Sequence, residues 1–260
     1  SINRMPLGNI ADTMSVLIGP NPYLDFLLTM EQDGRSFTMD TRAFREVLGP
    51  EIPLSEPQVL NYIEGYITEN LLGNRFRISP RSFYQVNTKQ TEVLYNKVLE
   101  FAALGGKEKI IDAYCGTGTI GLTLAGKAKS VIGVESNPDA VADAVINAKL
   151  NGIKNTKFVA ADAGDFMQEL AEKNEKIDTV ITDPPRAGCS KRFIDSLLSL
   201  SPKSIVYVSC NPETLTRDLF ALRKGGYKVK KIQPIDMFPF TEHVECVVSL
   251  TRHNELPRKA

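Results

Sequence analysis

Cys210, in the stretch Ser209-Cys210-Asn211-Pro212, is a residue suited to covalent chemistry. An apolar run precedes it and a helix-compatible run from about Glu213 follows. The thiol therefore stands at a strand tip just before a helix N-terminus, where its pKa falls and its nucleophilicity rises. A lone cysteine is more often a small buried apolar residue. Ser, Asn and Pro are poor core company, however, so a nucleophile is the expectation. Glu245 comes early in another apolar run, about His243–Leu250. A carboxylate there is either exposed at a sheet edge or held partly buried with a raised pKa, as a general base requires. His243, two residues earlier, would point to the same face and is expected to be structural. Asp183-Pro184-Pro185-Arg186 is a third reactive cluster. Two prolines after a strand make a stiff loop without free amides, holding a carboxylate and an arginine at the C-terminal sheet edge, where open α/β folds bind ligands.

A glycine-rich turn supplies the other half of the chemistry. Ile110-Ile111-Asp112-Ala113-Tyr114-Cys115 runs into Gly116, Gly118 and Gly121, a G-x-G-x-x-G spacing between an apolar strand and a helix. Such a turn lets a ligand lie against the backbone at a helix N-terminus. Glu135 closes the next strand, 17 residues past Gly118, and is placed to accept hydrogen bonds from ribose hydroxyls. Together they predict a nucleoside-containing cofactor and leave its identity open. Asp162 ends the following strand; it serves either a cofactor's base edge or the cap of the next helix, and the sequence does not separate the two.

The elements that position these groups follow from periodicity and capping signals. Strands are expected at 109–113, 130–135, 157–161, 178–182, 204–208, 227–234 and 243–250. One helix should run from Thr88 to about Leu104, capped by Asn87 and ended by Gly105-Gly106. A second should start at Asn137-Pro138, reach Leu150 and stop at Gly152; a third should end at Gly225-Gly226. The fold class is α/β, an open, mostly parallel, doubly wound Rossmann-like sheet ending in an antiparallel pair. A small N-terminal α+β accessory region precedes it. There, Leu24–Met30 and Ser36–Met39 flank Asp33-Gly34 as a hairpin, and Pro50, Pro53 and Pro57 break the chain. Between the two parts, residues 75–87 interleave Arg75, Arg77 and Arg81 with Phe76, Phe83 and Tyr84. That mix suits single-stranded RNA, and equally a half-buried strand.

With 260 residues and 42% hydrophobic content, the chain can bury a core in one large domain, or one large and one small. No apolar run approaches the roughly 20 residues that span a bilayer, and no secretion signal opens the chain, so a cytoplasmic protein without membrane contact is expected. Ser1 in place of Met is what a processed or trimmed chain would show. Cys115, Cys189, Cys210 and Cys246 lack C-x-x-C spacing, which argues against zinc and a disulfide scaffold and for free thiols, with no metal site. Charge is zero overall but uneven: residues 1–72 carry 4 Lys+Arg against 10 Asp+Glu, leaving 27 against 21 in the rest. The larger part permits a polyanionic partner without demanding one.

Four separated segments resemble the S-adenosylmethionine-dependent RNA uracil-5-methyltransferases, which form 5-methyluridine in tRNA and rRNA. They are Phe83–Asn87; Asp112–Gly118; Asp183–Arg186 with Gly188; and Ser209–Pro212 with Thr214, Leu215, Arg217 and Asp218, followed by His243-Val244-Glu245. The resemblance implies Cys210 as nucleophile, Glu245 as base, and a methyl-donor site lined by Gln85, Tyr114, Glu135 and Asp183, with Thr119 and Asp162 as lesser members. It implies S-adenosyl-L-methionine as cofactor, tRNA or 23S rRNA as partner, and a monomer. It divides the chain into 1–86, an accessory region leading into the donor site, and 87–260, the catalytic domain. The family's usual N-terminal OB-like domain and occasional iron-sulfur cysteine cluster are not visible in these residues. A nicotinamide-dependent dehydrogenase would share the turn and Glu135 but leave Asp183–Arg186 and Cys210 unexplained. An N-methyltransferase acting on a nucleic-acid base, and a methyltransferase-like RNA-binding module without activity, are the alternative functions.

Overall fold

The computed structural model describes residues 66–79, 82–85, 87–241 and 243–253. The hairpin expected at Asp33-Gly34, the proline breaks at 50–57, and Arg81 lie outside the described residues. Two compact units divide the chain at Thr68/Glu69, and the central sheet belongs wholly to the second.

That sheet is built from β3 (Lys109–Ala113), β4 (Ser130–Glu135), β5 (Thr156–Ala160), β6 (Thr179–Thr182), β7 (Ser204–Ser209), β8 (Tyr227–Ile235) and β9 (Glu245–Arg252). Their spatial order is β5-β4-β3-β6-β7-β9-β8. All neighbours from β5 to β7 pair in parallel, while β9 is antiparallel to both β7 and β8. The chain therefore winds outward from β3 first one way and then the other, as expected, and leaves a crevice at the C-terminal ends of β3 and β6. A short pair, β1 (Ile67–Leu71) and β2 (Asn74–Ile78), precedes it.

Strand period explains why the apolar runs are nearly continuous: successive residues face opposite sides, and helices cover both. Ile110, Ile181, Val206, Val208 and Val247 face one core. It holds α1 (Thr88–Ala102) and α2 (Thr119–Ala125). Ile111, Val180, Ile205, Tyr207 and Val248 face the other. There α4 (Ala163–Glu172), α5 (Lys191–Leu200) and α6 (Pro212–Lys224) cover the sheet. Each fully buried Val or Ile contributes about 1.5–3 kcal/mol.

Helix starts were legible. Asn87 caps α1, accepting from Gln90 N at 3.3 Å. Asn137 caps α3 (Pro138–Leu150), with Pro138 in the first turn as expected. One helix end differs: α1 stops two residues early because Ala103 turns left-handed, before the glycines are reached. The last strand also begins at Glu245, so His243 belongs to the preceding loop.

Candidate active site

The C-terminal edge of the parallel strands collects nearly every residue singled out by the sequence. Tyr114 follows β3, Glu135 ends β4, Asp162 lies just past β5, Asp183 follows β6 and Cys210 follows β7. Because β9 runs the other way, its first residue comes to the same edge. Ser209 pairs with Cys246, so one step further Cys210 stands opposite Glu245.

Electrostatics ties these groups together. Glu245 is 6% exposed, and burial lifts its carboxyl above the usual range, with Arg186 opposing. A raised pKa was one of the two states expected of it. Asp183 is pushed up to about 7 by burial, then by the charges of Glu245 and Asp112. Cys210 departs from expectation: its thiol pKa is raised rather than lowered. Burial is the main cause, followed by the Glu245 and Asp183 carboxylates, against which its own backbone N–H and Arg186 work. A helix terminus is worth only about 0.3–1 kcal/mol at an exposed site, and the Asn211 side chain already accepts from Glu213 N there.

The Asp183–Gly188 loop is held in place by α6. Asn211 Nδ2 and Thr214 Oγ1 both donate to Arg186 O, at 3.1 and 3.2 Å. Arg217 Nη2 donates to Ala187 O and Cys189 O. Gly188 is left-handed at φ +74°, and a Cβ there would lie 2.7 Å from Asp218 Oδ2, so only glycine fits. Asp218, 2% exposed, accepts from Cys189 N and from the Tyr207 hydroxyl, each at 2.7 Å, and pairs with Arg217. Arg186 itself reaches out to the exposed His243, Nη2 to Nδ1 at 2.9 Å. Asp218→Ala removes the acceptor of two buried donors and an arginine's partner. It should cost about 3 kcal/mol of stability or more. Urea unfolding would show this; a loss below about 1 kcal/mol would mean the loop does not depend on Asp218.

The glycine turn lies across the crevice. Tyr114 has φ +62°, a conformation that costs a non-glycine residue roughly 1–2 kcal/mol, and its ring sits 5.4 Å from that of Phe193. Gly118 is left-handed, and a Cβ there would approach Phe158 to 2.9 Å. Glu135 Oε2 accepts from Gly116 N at 3.1 Å and Oε1 from Asn137 N at 2.8 Å, so the carboxylate braces the turn. Asp112 Oδ2 accepts from Gly121 N at 2.7 Å, while its buried Oδ1 has no protein partner. Burial raises the Asp112 carboxyl to about 7. Thr119 is buried, with its hydroxyl 2.8 Å from that of Tyr95. Asp162 caps α4, accepting from Asp165 N at 3.0 Å, which is one of its two expected roles. Gln85 is half-buried, two residues before Asn87, whose Nδ2 donates to Met237 O.

Of the Arg–aromatic stretch, Phe76 and Ile78 are buried and Arg77 lies 3.8 Å from Asp143, as in a half-buried strand. Phe83 remains 77% exposed. Sequence reasoning gave no role to Asp218, Tyr207, Asp112 or Asn147. Asp218 had a signal: it stands on the buried face of α6 between Leu215 and Leu222, where an acid needs a partner. No helix among the described residues is long and apolar enough to cross a membrane, and none of their His, Cys, Asp and Glu side chains cluster as metal ligands.

Comparison with known proteins identifies the family and agrees with the fold. The model of the tRNA (uracil-5-)-methyltransferase family matches residues 55–253. An Enterococcus faecalis protein named as an RNA methyltransferase is 52% identical over 186 residues, covering 72% of this chain and 41% of its own. A Bacillus cereus protein of the same name is 50% identical over 191 residues, covering 74% and 42%. The chain thus spans about two-fifths of the length of these relatives. The Pyrococcus abyssi tRNA (uracil-54, C5)-methyltransferase, solved with S-adenosyl-L-homocysteine, is 40% identical with a TM-score of 0.62, covering 72% of this chain and 44% of that one. The tRNA m1G37 methyltransferase of M. jannaschii, 14% identical with a TM-score of 0.56 and covering 74% of this chain and 58% of that one, shares the fold alone. On the extent of the family match, this chain belongs to the tRNA (uracil-5-)-methyltransferase family.

Proposed function

We propose that the chain transfers a methyl group from S-adenosyl-L-methionine to carbon 5 of a uridine in tRNA or 23S rRNA, through a covalent Cys210–uracil intermediate. The observation that carries this is the β7–β9 register, which sets a cysteine opposite a buried carboxylate at the crevice edge. Carbon 5 of uracil is a weak nucleophile. Addition of the Cys210 thiolate at carbon 6 forms a C–S bond and moves the ring electrons into an enolate, making carbon 5 able to accept a methyl. Glu245 then takes the carbon-5 proton, the C–S bond breaks, and the thiolate leaves. The target base must be splayed out to reach them. The exposed Phe83 and Phe240 offer rings on which neighbouring bases can stack.

The residues present fit the donor. S-adenosyl-L-methionine supplies a methyl on a sulfonium and carries positive charge. Asp183, Glu245 and Asp112 raise one another's pKa or are raised by burial, so a cation beside them is favoured. Such a cation also offsets the carboxylate charges that hold the Cys210 thiol protonated. Nothing lies within 4 Å of where a Cβ would stand at Gly116, so the turn is open to a ligand. We assign Gln85, Tyr114, Glu135 and Asp183 to the donor site, with Thr119 and Asp162 behind them. We assign the catalytic groups to residues 87–260 and the lead-in to the donor site to residues 1–86, of which those from Glu69 onward belong to the same compact unit as the catalytic groups.

Two measurements test the reading. The chain should bind S-adenosyl-L-homocysteine in calorimetry, with Glu135→Ala weaker by roughly 1.5–3 kcal/mol. RNA from a deletion strain should lose 5-methyluridine in nucleoside mass spectrometry. Loss of a methylated exocyclic amine instead would favour the N-methyltransferase alternative.

A further inference from the structure

α3 and its C-cap carry three polar side chains at four-residue spacing, Asp143, Asn147 and the capping Asn151, on the face turned to β2. They bind the backbone of alternate residues, Arg75 and Arg77 of β2 and Ser79 just past it. Asn151 Oδ1 accepts from Arg75 N at 2.8 Å and its Nδ2 donates to Arg75 O at 2.8 Å. Asn147 does the same for Arg77, at 2.7 and 3.0 Å. Asp143 Oδ2 accepts from Ser79 N at 2.8 Å and from Ser82 Oγ at 3.0 Å. The match is geometric: four helical residues rise about 6 Å, close to the roughly 6.6 Å of two strand residues. The helix face thus serves β2 as a neighbouring strand would.

Asn147 does one thing the outer rungs do not. It is 0% exposed, and its Nδ2 also donates to Thr117 O at 3.0 Å, inside the glycine turn. Thr117 is itself buried. One amide therefore spends both N–H donors and its oxygen on two segments: the turn that lies along the donor, and the strand that leads into Phe83–Asn87 and Gln85. The same helix presses Ala144 against the turn, since a Cβ at Gly118 would lie 3.1 Å from Ala144 Cβ.

We propose that Asn147 is a positioning residue that fixes the glycine turn relative to the Gln85 segment, so that donor affinity depends on its amide. The inference rests on the donor-site reading above. Asn147→Asp keeps the size and the acceptor for Arg77 N but loses both donors, setting a carboxylate against the Thr117 and Arg77 carbonyls. Asn151→Ala removes a rung without touching the turn and serves as the control.

Calorimetry with S-adenosyl-L-homocysteine, with thermal unfolding alongside, separates the outcomes. The expected result is an affinity about tenfold weaker for Asn147→Asp, with Asn151→Ala within about twofold of the parent although its melting temperature falls. Amide hydrogen exchange over residues 115–119 should accelerate in Asn147→Asp and not in Asn151→Ala. If Asn147→Asp does not fold, Asn147→Ala is judged by the same comparison. Equal losses of affinity in the 147 and 151 variants would reduce Asn147 to a structural rung and overturn the proposal, as would unchanged affinity at 147. A parent chain that binds no S-adenosyl-L-homocysteine would instead overturn the donor-site reading, and this proposal with it.

Discussion

Cys210→Ala should lower uridine methylation by about 10⁴-fold or more, the scale seen when a covalent nucleophile is removed. The loss should leave S-adenosyl-L-homocysteine affinity within about twofold of the parent, because the donor site is built from other side chains. Cys210 stands past the end of β7, and the braces of the glycine turn assigned to the donor, Glu135 and Asn147, do not involve it. No protein–RNA adduct should survive denaturing electrophoresis with this variant. Continued 5-methyluridine formation by Cys210→Ala would end the covalent mechanism.

Glu245→Gln should slow turnover by roughly 10²–10⁴-fold, the range for a positioned base, and should fail at a different point. Addition and methylation precede proton removal, so an adduct carrying the labelled methyl should accumulate, and it should vanish when Cys210→Ala is added. The same substitution has a second signature. The Glu245 charge helps hold the Cys210 thiol protonated, next after burial itself. Removing it lowers the thiol pKa, so the thiolate appears at lower pH. Alkylation of Cys210 by iodoacetamide, followed against pH, should shift toward acid in Glu245→Gln. A shift toward alkali, or none together with normal turnover and no adduct, would separate Glu245 from Cys210.

Much of this site could be read along the chain because local signals agree with the fold. Asn87 and Asn137 cap helices where their side chains predicted, since a cap is settled within four residues. The glycine turn was legible for a similar reason, because its φ values and close contacts demand residues without a Cβ. Cys210 could be singled out by neighbours unsuited to a core, and Glu245 as a carboxylate early in an apolar run. Their pairing could not: it depends on β9 inserting antiparallel between β7 and β8, which no spacing in the sequence states.

The thiol shows where local reasoning stops. A helix N-terminus after Cys210 predicts a lowered pKa, and the chain alone contains no reason to doubt it. Burial reverses the direction first, and it is reinforced by carboxylates that arrive from just past β6 and from the start of β9, 27 residues before and 35 after. Charge acts through space and burial through packing, so a pKa belongs to the folded arrangement rather than to the neighbours in sequence. The rungs on α3 repeat the lesson for hydrogen bonds. Asp143, Asn147 and Asn151 look like polar residues of a surface helix until β2 lies along them, 64 to 76 residues away in the chain. What the sequence by itself determined was therefore the strands and helices, the turn chemistry and the reactive residue types, all governed by short-range sterics and capping. Which reactive groups face one another, and in what charge state, was decided only when distant strands and helices met in the tertiary structure, because Coulomb forces and buried hydrogen bonds depend on distance in space.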